Sequence, residues 1–256
     1  MGQKQPFSIG ALLIHGFTAT PASVAILEDP LKAMGLPVSM PLLRGHGASS
    51  PEMLRGVTFQ EWLADATESY RQLALQVRKV VIVGHSMGAL LALQLAARFP
   101  ETIDSLLLAA PALRLRSPLS PGRPLNFIST PLSRIVKRWN LKPVFTSQDH
   151  LDCAGLYAWA PTDAILSLFE LIRSTVPVLA RVRVPLLVLQ NRHETTIHPE
   201  SVVMLCRLAG AGEKEKTVVL LEHSEHQIFC DGERELAMQA VLAFISQRLP
   251  AISSPS

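Results

Sequence analysis

The segment from residue 79 to residue 99 restricts the fold of this chain more than any other. Lys79–Val83 contains four aliphatic residues in a row, which is typical of a strand buried on both faces of a parallel sheet. Gly-His-Ser-Met-Gly follows, and then an almost wholly apolar stretch, Ala89–Phe99, predicts a buried helix that Pro100 ends. A strand that passes into a helix through so short a turn indicates an α/β fold with right-handed crossovers.

The same alternation of short apolar runs and helical periodicity continues along the chain. It predicts a mostly parallel sheet of about six to seven strands flanked by helices. Further strands are expected at Ala11–Ile14, Pro37–Leu43, Ser105–Ala109, Leu186–Gln190 and Val218–Leu221, and further helices at Pro21–Met34, Phe59–Val77 and Leu236–Leu249.

Residues 111–184 interrupt this rhythm. The segment holds eight prolines and short amphipathic stretches such as Ile165–Val176, and no part of it has the pattern of a parallel strand. It is too long for a plain connection, so we predict a small helical insertion that covers the sheet. The expected organisation is a core of residues 1–110 and 185–256, with residues 111–184 as a cap.

The turn between strand and helix predicts a nucleophile. In the pattern G-x-S-x-G the serine, here Ser86, lies on a tight turn, and Gly84 and Gly88 let the flanking elements approach each other. The following N–H groups and the helix dipole then point at the same place. The alternative is that Ser86 only caps the helix, but the strand before it and the helix after it favour the first interpretation.

A serine nucleophile needs a histidine base. Among eight histidines, His226 lies just after the strand that ends at Leu221 and well before the last helix. Functional groups of open α/β sheets collect beyond the carboxyl ends of the strands, which favours this loop. His223 lies in the same loop and is the competing candidate.

The acid that orients the base is expected between the serine and the histidine in the chain. Glu194 lies four residues after the strand that ends at Gln190 and is the favoured candidate. The alternative is an exposed carboxylate or an ion pair with Arg192. Other acids of the interval lie within the insertion: Asp149, Asp152, Asp163 and Glu170.

The first strand ends in His15-Gly16-Phe17. Gly16 permits a turn that directs the N–H of Phe17 toward an oxygen that develops negative charge, with the N–H of Met87 as the second donor. His15 is expected to be a structural, hydrogen-bonded histidine. Arg44-Gly45-His46-Gly47 is interpreted as a structured turn whose His46 buttresses the site.

Charge and composition exclude a nucleic-acid partner. The net charge is only +3 and aromatic residues make up 5% of the chain, too few for a stacking platform. The charge is nevertheless uneven, because no acid lies between Ala112 and Gln148. That stretch holds seven cations: Arg114, Arg116, Arg123, Arg134, Lys137, Arg138 and Lys142. They form either a solvated face or a surface that makes weak contact with anionic lipid.

Cysteine usage and hydropathy bear on the compartment. Cys153, Cys206 and Cys230 are odd in number and widely spaced, which favours unpaired thiols in a reducing environment. The early apolar run Ile9–Ile14 is too short for a transmembrane helix or a signal sequence. The expected location is therefore the cytoplasm.

Taken in order, these pieces resemble the α/β-hydrolase superfamily, and within it the small bacterial carboxylesterases and monoacylglycerol lipases. The resemblance rests on five stretches of the sequence: Leu12–Ala19, Arg44–Gly47, Gly84–Gly88, Asn191–Glu194, and His226. This chain departs from the family pattern at two positions. Glu194 stands where the family usually has Asp, and Glu225 stands where it often has Gly before the histidine.

The resemblance implies a triad of Ser86, Glu194 and His226, and an oxyanion hole formed by the N–H groups of Phe17 and Met87. Five residues would support them: His15, Gly16, Gly84, His85 and Gly88. No metal or cofactor is implied.

The expected activity is hydrolysis of carboxylic esters, either short- to medium-chain acyl esters or monoacylglycerols, through an acyl-enzyme on Ser86. Two other reaction types use the same triad, namely acyl transfer and hydrolysis of carbon–carbon bonds. A binding protein with an inactive site is the third alternative. Apolar and aromatic residues of the insertion, among them Trp139, either line an acyl pocket or pack the cap onto the core.

Overall fold

The computed structural model describes residues 7–146, 153 and 155–249. Six parallel strands form one sheet in the order β2-β1-β3-β4-β7-β8, and β5 and β6 form a separate antiparallel pair. The strands are β1 (Phe7–Ile14), β2 (Val38–Ser39), β3 (Val77–His85), β4 (Ile103–Ala109), β5 (Arg138–Asn140), β6 (Trp159–Pro161), β7 (Leu186–Asn191) and β8 (Lys216–Leu221). The predicted parallel α/β fold is confirmed.

Seven α-helices accompany the strands in the described part of the chain. They are α1 (Glu28–Ala33), α2 (Phe59–Ala74), α3 (Met87–Arg98), α4 (Ser129–Ile135), α5 (Thr162–Thr175), α6 (Glu200–Leu208) and α7 (Arg234–Ser246). Helix α3 begins directly after Ser86 and is buried along almost its whole length between the sheet and its neighbours. The apolar sequence of this helix is therefore the consequence of its central position.

Several boundaries differ from the sequence prediction, three of them as follows. The helix expected to reach Val77 ends at Ala74, because Val77 pairs with Phe7 as the first residue of β3. The stretch expected as one helix from Pro21 begins as a 3-10 turn and becomes α-helical only at Glu28. Strand β2 is only two residues long, since prolines flank it and cannot donate to a ladder.

Between β4 and β7 the chain forms α4, the β5–β6 pair and α5. The antiparallel pair was not predicted, because three-residue strands leave no periodic signal. Helix α5 packs on the core helix α3, where Gln94 Nε2 donates to Ser174 Oγ and Thr175 Oγ1, each at 3.2 Å. The division into core and cap stays a prediction, and residues 111–184 are called the insertion below.

The prediction of unpaired thiols is wrong for two of the three cysteines. Cys153 and Cys230 form a disulfide across a sequence separation of 77 residues, while Cys206 is free. Spacing alone could not reveal this pair, because only the folding of the insertion over the loop after β8 brings the two residues together. The disulfide links the insertion covalently to that loop.

The described residues contain neither a membrane-spanning helix nor a cluster of metal-binding side chains. No helix in these ranges is long and apolar enough to cross a membrane. No group of three or more histidine, cysteine, aspartate or glutamate side chains within them is placed to hold a metal ion.

Candidate active site

Three loops at the carboxyl edge of the sheet bring Ser86, His226 and Glu194 together. His226 Nε2 lies 2.9 Å from Ser86 Oγ, and His226 Nδ1 is hydrogen-bonded to Glu194 Oε1. The serine follows β3, the glutamate follows β7 and the histidine follows β8. The structure thus places the three predicted residues in one continuous chain of hydrogen bonds, while the competing His223 is exposed.

The turn that carries Ser86 depends on glycine on both sides. Ser86 has φ 54° and ψ −109°, an unusual backbone conformation for a residue with a side chain. A Cβ on Gly84 would lie 2.5 Å from the carbonyl oxygen of Gly88, and one on Gly88 would lie 2.2 Å from that of Ile14. Only glycine permits these approaches, so the strand, the turn and the first turn of α3 are held close together.

Glu194 is 1% exposed, and its carboxylate receives three hydrogen bonds. Besides His226, Gln190 Nε2 donates to Oε2 at 2.6 Å and the Ile197 N–H donates to Oε1 at 3.0 Å. Burial by itself raises the pKa of Glu194. The electrostatic interaction with His226 and the three hydrogen bonds outweigh burial and hold this pKa below its usual value. The carboxylate is therefore ionised beside the imidazole.

The alternative ion pair of Glu194 with Arg192 does not form. Arg192 Nε instead donates to Glu222 Oε1 at 2.8 Å, on the surface. Gln190, which sequence reasoning missed, is a direct partner of Glu194. The available signal was a polar residue at the carboxyl end of an otherwise apolar strand.

Two buried histidines fix the surroundings of the site. His85 Nε2 donates to the carbonyl oxygen of His226 at 2.8 Å, and burial, followed by the charge of His226, lowers the pKa of His85 to about 3. His15 Nδ1 donates to the Gly16 carbonyl at 2.9 Å and Nε2 accepts the Leu43 N–H at 3.1 Å. Burial likewise lowers the pKa of His15 to about 3, so both rings are neutral and act as hydrogen-bonding supports.

The turn after β1 passes directly beside Ser86. A Cβ on Gly16 would lie 3.0 Å from His85 Nδ1 and 3.2 Å from Ser86 Cβ, so a larger residue would push the turn away. Phe17 borders the cavity next to Ser86. Met87 is the first residue of α3, and backbone N–H groups in the first turn of a helix have no partner within it. Both predicted oxyanion-hole residues therefore lie next to the serine.

His46 packs behind this turn. Its ring meets those of His15, Phe17 and Trp62 edge to face, with centroids 5.0 to 6.1 Å apart. Burial lowers the pKa of His46 to about 4, and Nδ1 is hydrogen-bonded to the carbonyls of the same turn. His46 occupies the supporting position that the sequence predicts for it.

A cavity of about 270 Å³ opens at Ser86 and His226. Most of its wall comes from the insertion and is apolar, including Leu132, Trp139, Leu141, Val144, Leu156, Ile165, Leu168 and Phe169. Among the described residues, Lys142 is the one lining side chain with a fixed charge, and no carboxylate lines the wall. The cavity therefore suits an uncharged apolar group.

A parallel sheet with serine on a tight strand–helix turn, followed in chain order by an acid and a histidine, defines the α/β-hydrolase class. The chain belongs to the family described as serine aminopeptidase, S33, whose model matches residues 10–233.

Similar proteins are lipases and esterases. The chain is 27% identical over 241 residues to the thermostable monoacylglycerol lipase of Bacillus sp. (strain H-257), which covers 93% of this chain and 91% of the relative. It is 24% identical over 237 residues to a carboxylesterase of Bacillus subtilis (strain 168), covering 92% of each. A solved structure from work on the metagenome-derived lipolytic enzymes LipS and LipT superposes with a TM-score of 0.84 at 27% identity, covering 94% of this chain and 95% of that chain.

Proposed function

We propose that this protein hydrolyses carboxylic esters through an acyl-enzyme on Ser86. The observation that carries the proposal is the hydrogen-bonded series Ser86–His226–Glu194, of which Ser86 and His226 line an apolar cavity. The similarity to a monoacylglycerol lipase and a carboxylesterase supports the same reaction.

The reaction follows from this geometry. His226 takes the proton of Ser86 Oγ while the oxygen attacks the ester carbonyl carbon, and the N–H groups of Phe17 and Met87 stabilise the oxyanion. Collapse of the tetrahedral intermediate breaks the bond to the alcohol, which leaves with the proton from His226. A water molecule then gives a proton to His226 and attacks the acyl carbon, which releases the acid and restores Ser86. Glu194 stabilises the imidazolium that forms twice in this cycle.

The cavity indicates the substrate class. Its volume lies just below the range of roughly 300–1,000 Å³ that is usual for small-molecule sites. Its apolar wall fits an acyl chain of short to medium length, including that of a monoacylglycerol. The family description names an aminopeptidase, but recognition of a charged amino terminus calls for a carboxylate, and the described wall of the cavity contains none. The site therefore favours esters over peptides with a free amino group.

The test is turnover of p-nitrophenyl esters of graded chain length and of monoacylglycerols. Ser86→Ala is expected to abolish turnover with the fold intact, and undiminished activity would overturn the assignment of the nucleophile. Asp163→Asn serves as a matched control, because Asp163 is half-exposed and binds the Gly56 N–H at 2.9 Å, away from the triad. It is expected to leave activity near that of the wild type.

We also propose that the insertion makes weak contact with anionic lipid. Two of its large apolar side chains are strongly exposed, Phe127 at 76% and Ile135 at 82%. They lie among exposed cations, including Arg134 and Lys137, in the part of the chain whose other residues line the cavity. Two cations of the insertion form ion pairs with carboxylates: Arg114 pairs with Glu200, and Arg138 pairs with Glu52. Exposed apolar side chains in a segment rich in exposed cations are suited to an anionic lipid interface.

Binding to vesicles tests this contact. The double variant Arg134→Glu, Lys137→Glu is expected to sediment less with phosphatidylglycerol vesicles than the wild type, and added salt is expected to weaken wild-type binding. Lys214→Glu, at the amino edge of the sheet, is the control and is expected to behave as wild type. Equal binding to neutral phosphatidylcholine vesicles would contradict the role of charge.

The cytoplasmic location stays a prediction. The Cys153–Cys230 disulfide argues against it, because disulfides persist mainly in oxidising compartments.

A further inference from the structure

Two acids beside His226, Glu194 and Glu225, lie in neighbouring loops that follow β7 and β8. Glu225, the residue before His226, is 9% exposed, and its side chain points to the loop that carries Glu194. Glu225 Oε2 accepts hydrogen bonds from the Thr195 N–H at 3.1 Å and from Thr195 Oγ1 at 3.2 Å. Thr195 is the residue that follows Glu194.

The two loops are therefore joined at two successive positions. Glu194 binds His226, and Thr195 binds Glu225, so a pair of neighbours in one loop contacts a pair of neighbours in the other. A residue without a side chain at position 225 could not make the second contact.

The backbone around Glu225 is also fixed. Its N–H donates to Asp231 Oδ2 at 2.7 Å, and Asp231 is fully buried. The same carboxylate accepts the Thr146 N–H of the insertion at 3.0 Å. Glu225 thus has a fixed point of attachment from which its side chain reaches the acid-bearing loop.

We propose that Glu225 is a positioning residue that holds the loop of Glu194 against His226. The side chain of Glu194 has several rotatable bonds, so its carboxylate needs a tightly fixed backbone to meet His226 Nδ1. A hydrogen bond to the very next peptide N–H supplies that constraint. The proposal rests on the proposed function of the triad, and Glu225 acts on catalysis only through Glu194.

Two conservative variants of Glu225 distinguish the effect of its hydrogen bond to Thr195 from the effect of its charge. Glu225→Gln keeps the length of the side chain and a carbonyl oxygen that accepts the Thr195 N–H, so kcat is expected to stay within about threefold of wild type. Glu225→Asp keeps the charge but is one methylene too short to reach Thr195. It is expected to lower kcat about tenfold to a hundredfold, as the loss of a hydrogen bond to a charged group predicts, with KM changed less than about twofold. The opposite order, with the Asp variant active and the Gln variant impaired, would overturn the proposal.

A double-variant cycle tests whether the effect passes through Glu194. In a Glu194→Ala background, Glu225→Asp is expected to cause no further loss of kcat, and an additive loss would overturn the proposal. Glu222→Ala is the matched control, because Glu222 also joins the two loops, but through contacts with the exposed side chains of Arg192 and His193. It is expected to keep the wild-type kcat.

The rate at which an organophosphonate labels Ser86 distinguishes failure of this proposal from failure of the proposed function. Labelling needs the triad but no ester substrate. If the wild type is labelled quickly and hydrolyses no ester, the proposed substrate class is wrong, and the slower labelling expected for Glu225→Asp still tests the role of Glu225. Equal labelling rates for Glu225→Asp and wild type would refute it.

Discussion

Replacing Glu194 by glutamine tests how the carboxylate works in this site. Three donors converge on its two oxygens: His226 Nδ1 and the Ile197 N–H at Oε1, and Gln190 Nε2 at Oε2. A glutamine offers one oxygen and one NH₂ group, so one donor must face another donor. If the NH₂ group takes the place of Oε1, His226 and the Ile197 N–H both lose their acceptor. If the NH₂ group takes the place of Oε2, only Gln190 loses its acceptor. The variant is therefore expected to keep its oxygen toward His226.

The expected loss of activity comes from the missing charge. A carboxylate about 4 Å from an imidazolium contributes about 4 kcal/mol at an effective dielectric constant near 20, which corresponds to about a thousandfold in kcat. The donor–donor contact with Gln190 should instead lower the free energy of unfolding, by about 1–3 kcal/mol. Gln190 cannot resolve it by turning its amide, because Nε2 also donates to the Asn191 carbonyl at 3.2 Å.

The assay is steady-state hydrolysis of a p-nitrophenyl ester together with urea unfolding. Adding Gln190→Met to Glu194→Gln removes the opposing donor and is expected to recover part of the stability but none of the kcat. Glu222→Gln, a change in an exposed carboxylate nearby, is the control and should alter neither quantity. A kcat of Glu194→Gln within about tenfold of wild type would refute the reasoning.

Two further predictions concern stability. Burial lowers the pKa of His15 and His85 to about 3, so below pH 6.5 the unfolded chain binds protons that the folded chain does not. The free energy of unfolding should therefore fall by about 1.4 kcal/mol per pH unit for each histidine as the pH drops from 6.5. Urea unfolding of His15→Gln should show a smaller dependence of this free energy on pH, and an unchanged dependence would contradict the prediction. The Cys153–Cys230 disulfide closes a loop of 77 residues and should contribute about 4 kcal/mol. In denaturant unfolding, Cys153→Ser should lose most of this stabilisation. Cys206→Ser is the control, and its free energy of unfolding should equal that of wild type if the effect belongs to the disulfide.

The sequence alone was informative where structure is decided locally. The apolar run of β3, the glycines around Ser86 and the helix after it are neighbours in the chain, so their steric requirements appear as a readable pattern. The candidates Glu194 and His226 could be predicted because the carboxyl ends of parallel strands lie at one edge of the sheet. The parallel strands themselves follow from uninterrupted aliphatic runs.

The tertiary structure alone decided the contacts between distant loops. The pairing of Cys153 with Cys230 and the hydrogen bond from Thr195 to Glu225 join residues that no periodicity relates. Hydrophobic patterning sets which face of an element is buried, but side-chain partners across loops depend on where the loops meet. The sequence thus determined the chemistry available to this protein, and the packing of the insertion and the loops against the sheet determined which side chains hold that chemistry in place.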